Sequence, residues 1–117
     1  MSIESDVYDA LSGAAGLAAL VSTRIYPNAI AQGADLPAVA FARVETEYLN
    51  TLAPATAMKR ARIAVQAWGA VQVDVESVGD AIEAAMLAVN VPPEGRFATF
   101  DAEMGLYGVT VEFDWWS

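Results

Sequence analysis

Pro37-Ala38-Val39-Ala40-Phe41-Ala42-Arg43-Val44-Glu45-Thr46-Glu47-Tyr48 and Lys59-Arg60-Ala61-Arg62-Ile63-Ala64-Val65-Gln66-Ala67-Trp68 are the two runs on which the fold turns. Both are strand candidates, and Pro37 opens the first of them. Leu49 to Ala57, with Pro54, several small residues and no period, joins them as a hairpin tip longer than most. Setting Tyr48 opposite Lys59 brings Glu47 against Arg60 and Glu45 against Arg62 on one face. Val44 then meets Ile63, and Ala42 meets Val65, on the other. Opposite charges face each other on one side and apolar groups on the other, as an antiparallel ladder favours. The basic cluster Lys59, Arg60 and Arg62 is thereby explained as structural cross-strand pairing, with no phosphate required.

Helices and further strands extend outward from this hairpin. Downstream, Asp74 is placed as the N-cap of a helix reaching about Val89, with Val75, Val78, Ile82, Ala85, Met86 and Val89 on one stripe. Asn90 and Pro92-Pro93 end it. Phe97–Glu103 and Tyr107–Trp115 read as a second pair of strands about a tight turn at Met104-Gly105, the latter alternating cleanly. Upstream, Ile3, Val7 and Leu11 make an apolar helical stripe capped by Ser2 or Ser5 and stopped by Gly13. A short helical turn over Ala14–Leu20 would seat Leu17, Leu20 and Val21, and Arg24–Pro27 is a brief extended piece before a loop at 28–36. The predicted fold class is α+β: a mostly antiparallel sheet of about 4–5 strands with two main helices on one face, one domain over residues 1–117.

Composition narrows the function. At 117 residues the chain suits one core, with a radius of gyration of roughly 13 Å. Of its 65 hydrophobic residues 24 are alanine, so the interior is thin. Neither cysteine nor histidine occurs, which excludes disulfides, zinc fingers and histidine-dependent nucleophilic triads. A net charge of −9 argues against conventional nucleic-acid binding. No apolar stretch approaches a membrane span, and acidic Met1–Asp6 lacks the basic start of a secretory signal.

Acid pairs are the candidates for chemistry: Glu45/Glu47, Asp74/Glu76, Asp101/Glu103 and Glu112/Asp114. General acid–base work needs one carboxyl kept neutral by burial, whereas the three strand pairs alternate with the apolar face and so look toward solvent. No calcium-loop, dinucleotide-loop or P-loop spacing is present, and Ser12, Ser22, Ser77 and Thr110 have no histidine to activate them. No catalytic residue, metal or cofactor is expected. A carboxylate–metal hydrolase is the enzyme reading that this weighs against. The C-terminal Phe113-Asp114-Trp115-Trp116-Ser117 is more telling, because consecutive tryptophans on a strand point to opposite faces. One joins the core, and the other is left beside Glu112 and Asp114. Subunit interfaces are enriched in such aromatics. Leu49, Leu52 and Met58 at the apolar tip, with Trp115 and Trp116, are the expected subunit interface.

Taken in order, Leu17-Ala18-Ala19-Leu20-Val21, Arg24-Ile25-Tyr26-Pro27, Leu36-Pro37 before a strand, Ile63-x-Val65-x-x-Trp68 and the helix of 75–89 resemble the tail completion or tail terminator (tail-to-head joining) proteins of long-tailed bacteriophages, the DUF3168 domain family. The Trp-Trp terminus stands outside that pattern. The resemblance implies a non-catalytic virion protein, made in the host cytoplasm and located at the head-proximal end of the tail of a phage or a gene transfer agent. It implies a ring, typically a hexamer, that ends tube growth and joins tail to head. Its partners would be further copies of itself, the tail tube protein and a head–tail connector, with DNA passing through the lumen without sequence-specific binding and no membrane contact. The competing expectation is a dimeric α+β ligand-binding or sensor module with an apolar pocket between sheet and helices.

Overall fold

In the computed structural model the chain runs α1 (Ile3–Ser12), α2 (Ala15–Val21), β1 (Ile25–Pro27), β2 (Ala38–Leu49), β3 (Met58–Gly69), α3 (Gln72–Leu87), β4 (Pro93–Asp101) and β5 (Leu106–Trp116). The structure describes residues 3–28, 30, 33, 35–49 and 58–116, and of Tyr48, Leu49, Met58, Lys59 and Trp116 the backbone alone. The five strands form one sheet in the order β1-β2-β3-β5-β4. Every junction is antiparallel except β1 with β2, which is parallel. The fold is therefore α+β, with a third helix, α2, beside the two main ones.

The ladder of β2 on β3 departs from the simple register at one residue. Glu47 faces Arg60 and Glu45 faces Arg62, but a bulge then intervenes, and Arg43 pairs with Ile63, Ala42 with Ala64 and Phe41 with Val65. Val44 is the supernumerary residue, 56% exposed. The uninterrupted register would have turned Ala40, Ala42 and Val44 toward the helices and Val39 and Phe41 away. The bulge reverses that choice: Val39 and Phe41 join Ile63, Val65 and Phe113 in the core. Burying such side chains is worth about 1.5–3 kcal/mol each, which outweighs one local break in the ladder.

The helices cover only this face. Val75, Val78, Ile82, Ala85 and Met86 of α3 pack over β3 and over Val109, Val111 and Phe113 of β5. Val7 and Leu11 of α1, against β1, β2 and α3, and Leu17 and Val21 of α2, against α3, complete the same core. Leu20, expected beneath α2, is exposed instead, because Leu17 and Val21 already occupy its inward side. Ser5 lies inside α1 and is not its cap, and Ser2 lies outside the described residues. Asp74 sits in the first turn of α3, where it complements the helix dipole, while extended Val71 takes the N-cap place. The helix stops before Val89. Asn90 adopts φ 64°, the Asn90 N–H donates to the Leu87 carbonyl at 2.9 Å and the Val91 N–H to the Met86 carbonyl at 3.0 Å. This is a Schellman ending.

β4 starts earlier than the sequence pattern suggests and ends at Asp101, because Pro93 is tolerated as the first residue of an edge strand. Glu103 therefore lies in the turn, where its N–H and that of Met104 donate to Asp101 Oδ1 at 3.0 and 3.2 Å. Arg24 ties β1 to the start of β2, its Nε donating to the Pro37 carbonyl at 3.0 Å. With principal extents of 51 × 29 × 22 Å and a radius of gyration of 15.0 Å, the molecule is longer than a compact chain of this length, which has a radius of roughly 13 Å.

Candidate assembly surfaces

Alternation along the strands assigns Ala38, Ala40, Ala64, Gln66, Trp68 and Gly108 to the face opposite the helices. The three alanines and the glycine are buried because longer neighbours shade them. Trp68 lies flat on this surface: a Cβ placed on Gly108 would sit 2.8 Å from its Cζ3. The result is a shallow, uncharged strip at one end of the face.

The other end is charged. Arg60 pairs with Glu47, and its guanidinium also stands 3.7 Å from Glu45 and 3.7 Å from Asp114. Arg62 is opposite Glu45 in register, yet its Nε donates to Asp114 Oδ1 at 3.3 Å on β5. That hydrogen bond, and then the charge of Asp114, hold the Arg62 guanidinium above the usual arginine range. Asp114 thus bridges both arginines across the β3–β5 junction.

Arg96 of β4 makes a second network on the helix side. Its Nη1 donates to Asp80 at 2.8 Å and to Glu83, and its Nη2 to Glu76 Oε2 at 2.7 Å and the Glu76 carbonyl at 3.3 Å. Burial works against the charge, but the carboxylates of Asp80, Glu83 and Glu76 outweigh it and raise the Arg96 pKa. Gly79 makes the approach possible, since a Cβ there would stand 2.9 Å from Arg96 Nη2 and 3.1 Å from Val109 Cγ1. Sequence reasoning missed this cluster. The i, i+4, i+7 spacing of Glu76, Asp80 and Glu83 was visible, but no local signal pointed to a single arginine thirteen residues beyond Glu83.

Of the residues expected at a subunit interface, Trp115 is half-buried against the core and lines a cleft of about 280 Å³ with Val89, Val91, Pro92, Glu94 and Asp114. Leu49 and Met58 pair in register, as do Trp116 and Arg60, but the side chains of Leu49, Met58 and Trp116 lie outside the description, and Leu52 lies outside the described residues. The layer between sheet and helices, where a sensor pocket would be, is filled by Leu11, Leu17, Ile82, Met86 and Phe113. No group of three acidic residues able to hold a metal ion occurs among the described residues, and no described helix is long and apolar enough to cross a membrane.

No curated protein matches the chain. Among solved structures, 19 chains match. One is a chain from a structure titled "Virion of native gene transfer agent (GTA) particle", at 15% identity and a TM-score of 0.76, covering 97% of this chain and 92% of that one. At that identity the likeness is one of fold. The sequence carries the family: residues 5–117 match the family described as tail completion protein gp17. That match spans the sheet, α2, α3, α1 from Ser5 onward and both charge networks, so the chain belongs to the tail completion protein gp17 family and is a structural component of the virion tail.

Proposed function

We propose that this tail completion protein closes into a ring, of six copies, at the head-proximal end of the tail tube, where it ends tube growth and offers the surface that joins tail to head. The observation that carries the reading is the family match over residues 5–117. It acts by shape and contact: no bond is broken, and its partners are copies of itself, the tube protein and the head-side connector.

The charge distribution supports the passage of DNA through such a ring. All five arginines are committed within the chain: Arg24 to the Pro37 carbonyl, Arg43 to Glu4 at 2.7 Å, Arg60 and Arg62 to the acids around Asp114, and Arg96 to α3. Asp9, Asp35, Asp74, Glu94 and Glu103 are exposed and have no ion pair among the described residues. Phosphate affinity needs cations that are free to replace counterions, and the described side chains of this surface offer acids instead, with that of the one lysine, Lys59, lying outside them. A duplex slides past it without adhering.

Particles assembled without this protein provide the test. The reading expects tails longer than the native length and heads without tails, both restored by adding the purified chain. Tails of native length joined to heads in its absence would overturn it.

A further inference from the structure

The sheet ends in two open edges that differ from one another. At one side β4 pairs only with β5, and from Gly95 to Asp101 its ladder is regular. At the other, β1 covers β2 over Val39–Phe41 alone, and the Asn28 N–H, donating to the Phe41 carbonyl at 2.8 Å, is the last main-chain bond on that side among the described residues. β2 continues to Leu49, and among the described residues no strand pairs with the outer edge of its second half. Open edges template pairing with another chain and are ordinarily guarded by charged side chains, proline, bulges, inward-pointing charges or a covering element. On β4 the irregularity lies before Gly95, and the inward charge, Arg96, is taken up by Glu76, Asp80 and Glu83. Gly95–Asp101 has no lysine and no proline.

Two phenylalanines on β4 identify what covers that edge. Phe97 pairs with Thr110, on the face opposite the helices, where Gly95 and Glu112 adjoin it. Phe100 pairs with Tyr107 on the helix side, and their ring centroids are 4.9 Å apart. Each phenylalanine is 55% exposed. A partner lying on either face of the sheet buries one of them and leaves the other in water. A strand added alongside β4 buries both at once, one beneath each of its own faces.

Resting on the ring reading above, we infer that the ring is built by strand addition: β4 of one copy pairs with the open second half of β2 of the next. The occupant is a second copy because the chain itself carries the complementary edge at the far side of the same sheet. A contact between two different edges is heterologous and propagates in one direction until it closes, as a ring requires. Direction follows from topology. β2, β3, β5 and β4 reverse at each step, so β4 runs opposite to β2, and copies related by rotation about an axis along the strands meet antiparallel. In the ring, the neighbour's β4 extends the line that β1 begins along β2.

The absence of cysteine makes the joint directly testable. Val44→Cys and Thr99→Cys, both at exposed positions, are made as separate chains, mixed with tail tubes and treated with a short bismaleimide. The joint predicts a Val44-to-Thr99 linked dimer in excess over either homodimer, and a ladder ending at the ring when both changes are in one chain. A second variant, Phe97→Asp/Phe100→Asp, keeps a single cooperative thermal transition, at a midpoint lowered by the lost Phe100–Tyr107 contact, and loses the ring by native mass spectrometry. Rings that persist in this variant without the mixed crosslink overturn the strand joint and leave the ring reading intact. A Thr99 homodimer, or a Thr99 crosslink to the tube protein, also overturns it. If the unaltered chain forms no ring on tail tubes, it is the ring reading that falls.

Discussion

Arg96 gathers three carboxylates of α3 with one guanidinium, and Gly79 exists at the closest point of that contact. Glycine within a helix costs about 1 kcal/mol relative to alanine, so its presence is explained by the space it leaves for the guanidinium. Gly79→Val is expected to lose about 1–3 kcal/mol in urea unfolding, because the branched side chain must displace Arg96 and press on Val109. Arg96→Gln removes the clamp between β4 and α3; with the carboxylates partly in water, the loss is about 1 kcal/mol by the same measurement. Arg96→Lys does not restore it, since an ammonium cannot span three acceptors as the planar fork does. On the opposite face Gly108 plays a comparable part beneath Trp68, a contact that no spacing rule in the sequence announces.

Val44 decides the register of the β2–β3 hairpin. Deleting it joins Arg43 directly to Glu45, so the ladder runs straight with Arg43 opposite Ile63 and Phe41 opposite Val65, and Val39 and Phe41 stay in the core. Because the buried set is unchanged, the deletion is expected to shift stability by no more than about 1 kcal/mol, read as a small change in the unfolding midpoint. Val44→Ala, which keeps the extra residue, is expected to stay within about 0.5 kcal/mol of the native chain. The ends of this hairpin were legible, because the charge pairs Glu47 with Arg60 and Glu45 with Arg62 can be matched by counting. The bulge was not, because Val44 is apolar and fits the inward pattern as well as Phe41 does; only the comparison of Val39 plus Phe41 against three small or exposed alternatives settles which set is buried. β5 and the stripe of α3 were equally readable from period alone. β1 as a parallel strand was not, since three residues carry no period and their partner is set by Arg24 reaching the Pro37 carbonyl. Of the assembly surface, the tip and tryptophans drew attention through composition, while the edge of β4 is a property of strand order, which sequence does not display.

Across the whole molecule the arginines are used internally and the acids left over face water. The native chain is therefore expected to show no retention of duplex DNA at low salt. Changing Asp9, Asp74, Glu94 and Glu103 together to Lys is expected to create weak binding that falls steeply as salt rises. Gel-shift titration at two ionic strengths checks this, and strong binding by the native chain would contradict the sliding role. The strand order has a further effect. β5 comes after β4 in the chain yet lies between β3 and β4 in space. A chain that stops short of Leu106 lacks β5, which leaves β3 with an unpaired edge and β4 with no strand to lie against. Such a fragment offers raw edges in place of the finished sheet, so the last strand to be made is the one that makes the domain whole.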